Sequence, residues 1–249
     1  MTPVRRFLAL AIVVVGLAGI VAAVGSTVGA REKRRTFTRP ASVTAVEVEI
    51  DNGRVEVVAG TELEPRIRQT TRSLFAAPKL QESVIDGVLR LRAECPRLAG
   101  PTCEVRYRVE VPATVAVRVR TDRGSVSVDG MTGAVDVAAD AGRISLARTS
   151  GPVTARTSAG SIEGVDLSPA FLDASTGAGR IRMSLEKPSA RVDLRTGAGN
   201  IDVALPPDRY RVETETDAGK IDVAVTVDAT SPYVVRARTG AGGIRVRPR

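Results

Sequence analysis

Apolar and polar residues alternate through the second half of the chain, and a recurring glycine resets the alternation. Seven positions before each such glycine stand Val117, Val135, Val153, Leu172, Val192, Val212 and Val235. Two positions after it stand Val126, Ile144, Ile162, Ile181, Ile201, Ile221 and Ile244. The positions between are mostly charged: Asp136, Asp173, Asp193 and Arg236 before the glycine, Arg182, Asp202, Asp222 and Arg245 after it. Period-2 alternation predicts strands with one buried face, and the β-branched content agrees. The glycines are Gly124, Gly142, Gly160, Gly179, Gly199, Gly219 and Gly242, each in a phrase close to Thr-x-Ala-Gly-x-Ile-x-Val. Each repeat therefore reads as two short strands joined at a tight corner, where glycine tolerates a positive φ.

One such unit cannot bury its own apolar face, but stacked neighbours can. The expected fold is all-β: a β-solenoid in which corresponding strands lie side by side in parallel. Identical positions then align into ladders of Ile and of Thr (Thr157, Thr176, Thr196, Thr216, Thr239). The alternative is an antiparallel β-sandwich, which short corners also permit. Residues 43–112 read as further strands. Their Asp51-Asn52-Gly53-Arg54-Val55-Glu56-Val57 is a weaker copy of the phrase, with Gly53 at its corner. This segment is expected to cap the repeats of 113–249, since a stack needs an atypical terminal unit.

Phe7 to Ala30 carries no charge and is long enough to span a bilayer as a helix. Residues 1–30 are thus expected to be a transmembrane anchor, followed by a basic juxtamembrane linker at 31–42. Val28-Gly29-Ala30 is an acceptable signal-cleavage site, so secretion after cleavage near Ala30 is the alternative, and a buried soluble helix a third reading. Of the chain's net charge of +8, most comes from Arg5, Arg6, Arg31, Lys33, Arg34, Arg35 and Arg39. The remainder is close to balanced and lacks Trp, which argues against a nucleic-acid surface. The positive-inside count would keep the β-domain in the cytoplasm. Cys95 and Cys103 argue the other way, because a disulfide between them implies an oxidising compartment. Two unpaired thiols are the alternative there. The preferred reading places the β-domain outside.

Chemistry-bearing motifs are few. The chain has no histidine, which removes the commonest general base and any Ser-His triad. Ser184-Leu185-Glu186-Lys187 matches a Ser-x-x-Lys pattern but lies on an expected strand. Gly177-Ala178-Gly179, Gly197-Ala198-Gly199 and Gly240-Ala241-Gly242 are followed by strands, not by the helix a dinucleotide loop needs. Asp122, Asp140 and Asp217 share one corner position. Asp202 and Asp222 share another, and stacking in chain order would bring those two about 5 Å apart. Such a pair reads as a solvated face relieved by Arg180, Arg182 or Lys220, or as part of a Ca²⁺ site. Arg118, Arg120, Arg156, Arg195, Arg236 and Arg238 form outward rows that screen the Asp residues or contact an anionic glycan. No catalytic, metal-binding or cofactor-binding residue is assigned.

The repeated phrase, its earlier copy at Asp51–Val57 and the strand-rich Val105–Pro112 together resemble a bacterial β-strand-repeat family of unknown function, known as "putative adhesin". The resemblance spans about Val46 to Arg247. It implies an envelope protein without a catalytic motif and transfers no site residues. The expected function is a non-enzymatic, membrane-anchored envelope protein presenting a β-repeat scaffold for adhesion or partner binding. Its partners would be the membrane, through the N-terminal helix, and envelope glycan or another envelope protein. The alternatives are a cytoplasmic-facing regulatory module of a signalling system and a polysaccharide-active enzyme using the Asp face.

Overall fold

The computed structural model describes residues 31–38, 43–96 and 102–249. Its N-terminal part holds β1 (Arg31–Thr38), β2 (Ala45–Gly60), β3 (Arg66–Ser73), β4 (Lys79–Ile85), β5 (Val88–Glu94), β6 (Glu104–Pro112) and β7 (Ala116–Asp129). The repeats follow as β8 (Val135–Ala141), β9 (Ile144–Ala147), β10 (Val153–Ala159), β11 (Ile162–Leu167), β12 (Phe171–Ala178), β13 (Ile181–Leu185), β14 (Arg191–Ala198) and β15 (Ile201–Leu205). The last are β16 (Arg209–Ala218), β17 (Ile221–Val223), β18 (Thr226–Val227), β19 (Val234–Ala241) and β20 (Ile244–Pro248).

Strands on either side of the corner belong to two parallel ladders. In one, β8, β10, β12 and β14 align Val135, Val153, Leu172 and Val192. In the other, β9, β11, β13 and β15 align Ile144, Ile162, Ile181 and Ile201. The long strands β2 and β7 run through their corners and join both ladders, with Gly53 opposite Gly124. The inward columns of the two ladders form one continuous buried core. Each fully buried Val, Leu or Ile in it contributes about 1.5–3 kcal/mol.

The corner requires glycine for two separate reasons. Gly142 has φ +148° and Gly179 φ +150°, conformations that L side chains rarely adopt. The backbones also approach too closely for a side chain: a Cβ on Gly142 would lie 1.6 Å from the Gly124 carbonyl oxygen, and one on Gly179 would lie 1.9 Å from that of Gly160. The threonine column closes the same corner. Hydroxyls of Thr176, Thr196 and Thr239 donate to the carbonyls of Gly160, Gly179 and Gly199 at 3.1, 3.1 and 3.0 Å.

Stacking does not follow chain order at the C-terminal end. The last repeat slides between its two predecessors: β19 pairs with β14 on one side and β16 on the other, and β20 with β15 and β17. Two physical effects favour this order. In chain order Asp193 would face Glu213, and Asp202 would face Asp222. The inserted repeat places Arg236 between the first pair and Arg245 between the second. Opposite charges across a strand pair contribute roughly 0.2–1 kcal/mol each, and like charges oppose pairing. Insertion does bring Arg195 beside Arg238, but these are held by Asp173 and by Glu215. The more polar repeat also takes the exposed end: Thr214 on β16 stands in a column that elsewhere carries Val119, Val137, Ala155, Ala174, Leu194 and Ala237. Ile221 is 45% exposed there, while its column equivalents are buried.

The other end is closed by antiparallel strands. Strand β4 pairs with β5, β3 with β6, and β1 with β3. Residues 31–38, expected within a basic linker, thus form a strand at this end.

The expected fold class is corrected accordingly. The structure is all-β with a large sheet dominated by parallel strands. Among the described residues it is neither a solenoid stacked strictly in chain order nor an antiparallel sandwich. No described residue lies in an α-helix, and among the described residues no helix is long and apolar enough to cross a membrane. The helix expected over 1–30 lies outside the described residues.

Replacing Gly142 or Gly179 by Ala is expected to destabilise the fold by about 1–3 kcal/mol from backbone strain alone, with displacement of the neighbouring strand added to it. Gly60→Ala should be neutral or slightly stabilising, because φ there is ordinary and the nearest atoms to an added Cβ lie 3.7 Å away. Denaturant unfolding checks this, and equal effects at corner and control positions would refute the steric account.

Candidate functional site

The outward faces carry most of the chemistry of the described residues. On the first ladder one row of cross-strand neighbours reads Arg90, Glu47, Arg118, Asp136. Arg118 reaches both Glu47 at 3.5 Å and Asp136 at 3.3 Å. Further along, Arg195 meets Asp173 at 3.4 Å and Asp193 at 3.6 Å, and Arg191 also bonds Asp193. Arg156 lies 4.0 Å from Asp173, and Arg238 lies 3.2 Å from Glu215. Arg236 donates to Glu213 at 2.6 Å, which holds that carboxyl below its ordinary range. Most arginines expected in outward rows are thus engaged by neighbouring carboxylates. Such exposed pairs add little stability each but discourage foreign strands from pairing.

Asp202 and Asp222 do not meet. Arg245 stands between them in register. Arg245 lies 3.6 Å from Asp222, and Arg247 donates to Asp202 at 3.0 Å. No group of three or more metal-ligating side chains exists among the described residues, so the Ca²⁺ reading of this pair is set aside. The residues expected to relieve the two carboxylates, Arg180, Arg182 and Lys220, are left exposed along a groove of about 580 Å³ instead. Asn200 and Ile221 also line it, and Asn200 Oδ1 accepts the Gly243 N–H at 2.8 Å.

The corner carboxylates separate too. Asp122 and Asp140 lie on the adjacent β7 and β8, while Asp217 sits on β16 at the far end, because Ser158, Gly177, Gly197 and Gly240 occupy that position in the repeats between. Partial burial raises the Asp122 carboxyl above its ordinary range, and the nearby Asp51 and Asp140 charges add to the effect. Ser184 lies on β13 opposite Ala204 on one side and the irregular Val165–Asp166 stretch of β11 on the other. The Gly-Ala-Gly segments are corners leading into β13, β15 and β20.

Cys95 and Cys103 are joined by a disulfide, with Cα atoms 5.9 Å apart. The corner of β2 holds both ends of this loop. Asp51 Oδ2 accepts the Cys95 N–H at 2.7 Å, and Asn52 Nδ2 donates to the Cys103 carbonyl at 2.7 Å. Sequence reasoning missed this clamp, although Asn52 stands where every repeat corner but Asp122-Arg123 carries Ala. It also missed the groove, which exists only because of the inserted repeat.

No protein-family model matches the chain, and no curated protein does. Several solved structures align with most of the chain at low TM-scores. A "putative adhesin" from Bacteroides fragilis is 13% identical, with a TM-score of 0.41, covering 87% of this chain and 97% of its own. A "putative cell adhesion protein" from Clostridium sporogenes is 10% identical, with a TM-score of 0.40, covering 88% of this chain and 100% of its own. A "putative lipid binding protein" from Parabacteroides distasonis is 9% identical, with a TM-score of 0.31, covering 87% and 97%.

Asp122→Asn is expected to raise the melting temperature at neutral pH. A carboxyl whose folded-state pKa is raised disfavours the folded state once it ionises, so wild-type stability falls as pH rises through the carboxylate range. The advantage of the variant should disappear at pH values below that range. Melting curves across pH check it, and a variant advantage independent of pH would remove the electrostatic explanation.

Proposed function

We propose that the protein is a non-enzymatic scaffold of the bacterial cell envelope, its β-domain outside the cytoplasm, holding a partner protein or glycan against its charged outer faces. The observation that carries this reading is the pair of ladders. A rigid parallel stack presents ordered rows of guanidinium and carboxylate groups at strand spacing, about 4.8 Å, which suits an extended partner better than a reacting centre. The disulfide supports an oxidising address. The absence of histidine from the sequence supports a binding role over Ser-His catalysis.

Exposed lysines provide the test. Lys79 and Lys187 are open to solvent, so a membrane-impermeant amine reagent applied to intact cells should modify them without lysis. Modification that appears only after lysis would place the β-domain inside and overturn the surface reading.

A further inference from the structure

We propose that the groove between β13 and β17 binds an anionic saccharide unit, one carrying a phosphate or a carboxylate. This rests on the surface-scaffold reading and names the chemistry of the partner at one place on it.

Three cations without a counterion define the groove. Arg180 and Arg182 stand on one wall and Lys220 on the other, all exposed. None of the three has a carboxylate within ion-pair distance among the described residues. The cause is competition. Arg182 lies in register with Glu163 on one side and Asp202 on the other, neither within ion-pair distance of it; Asp202 and Asp222 are instead engaged by Arg247 and Arg245 at 3.0 and 3.6 Å. Arg182 therefore faces Asp202 across β13 and β15 without pairing to it.

The inserted repeat also makes the depression. Register places Gly243 between Asn200 and Lys220, so the row of side chains is interrupted there. Arg180 and Lys220 are three strand spacings apart in that row, about 14 Å, room for a sugar ring with its charged substituent. The volume, about 580 Å³, falls within the range of about 300–1,000 Å³ typical of small-molecule sites.

The lining fits that ligand class. Two guanidinium groups on one strand face can grip a carboxylate or phosphate through paired N–H donors. Asn200 Oδ1 is already occupied by the Gly243 N–H, which orients the amide and leaves its NH₂ to donate to a hydroxyl. Ile221 offers an apolar wall to the C–H face of a ring. The groove has no aromatic side chain for stacking a base, which disfavours single-stranded nucleic acid.

Calorimetric titration of the purified full chain tests this, using glucose 6-phosphate, glucuronate, glucose and inorganic phosphate as probes. Binding of at least one charged sugar, with glucose silent, is expected. R180A/R182A should weaken it more than about tenfold, as expected for lost charge-assisted hydrogen bonds. K220A should weaken it less, and both variants should keep the wild-type melting temperature. A preference for glucose 6-phosphate identifies phosphate as the recognised group; a preference for glucuronate identifies carboxylate. Silence with every probe, inorganic phosphate binding as tightly as the sugars, or binding unchanged in both variants overturns the proposal. If R180A/R182A melts early, K220A alone decides. Surface labelling of Lys79 and Lys187 is read separately, so a silent groove on a surface-labelled protein defeats the ligand and leaves the scaffold reading standing.

Discussion

The architecture depends on the contact between one corner glycine and the carbonyl of the next. Gly124, Gly142, Gly160, Gly179 and Gly199 stack so closely that a Cβ added to each would fall within 1.6–1.9 Å of the carbonyl oxygen of the corner glycine on the neighbouring repeat. This approach sets the register of both ladders at once, because the strands on either side diverge from the same point. Register matters here more than in most sheets. A slip of one residue would turn the Ile144, Ile162, Ile181 and Ile201 column outward and bury the charged one. The threonine hydroxyls add a polar clamp at the same place, donating to the corner carbonyls of Gly160, Gly179 and Gly199.

Much of this was legible in the residue pattern. The strands, the corners and the alignment of equivalent positions follow from period-2 alternation reset by glycine. The order of the last two repeats was not legible from periodicity, since all repeats have the same period and fit one another. The information was present in charge. Asp193 and Glu213 occupy one outward column, and Asp202 and Asp222 another, so placing these repeats side by side sets like charges against each other in both ladders. The C-terminal repeat carries Arg236 and Arg245 at those positions. Pairing rules applied across repeats, rather than along each strand, would have recovered the insertion.

The N-terminal end was less legible for a different reason. Arg31–Thr38 has a strongly basic composition that resembles a solvated linker, and its alternation is weak. Its strand structure comes from β3, whose free edge accepts it with Phe37 opposite Ile67. Tertiary context supplies such an edge strand, and local propensity does not announce it. The same end shows how a repeat protein closes its sheet: antiparallel strands with bulky charged faces stop the parallel ladder from extending.

Order and chemistry are linked at the opposite end. The insertion that separates Asp202 from Asp222 commits Arg245 and Arg247 to those acids, so Asp202, one of the two carboxylates in register with Arg182, is already engaged. The same step sets Gly243, which has no side chain, between Asn200 and Lys220. A stack in chain order would have put Asn200 directly beside Lys220 and left two carboxylates facing each other on a closed surface. One change in strand order thus turns a self-neutralised row into a concave surface with uncompensated positive charge. Strand exchange within a repeat fold can create a recognition surface from residues that, read singly along the chain, look only like a screened exterior.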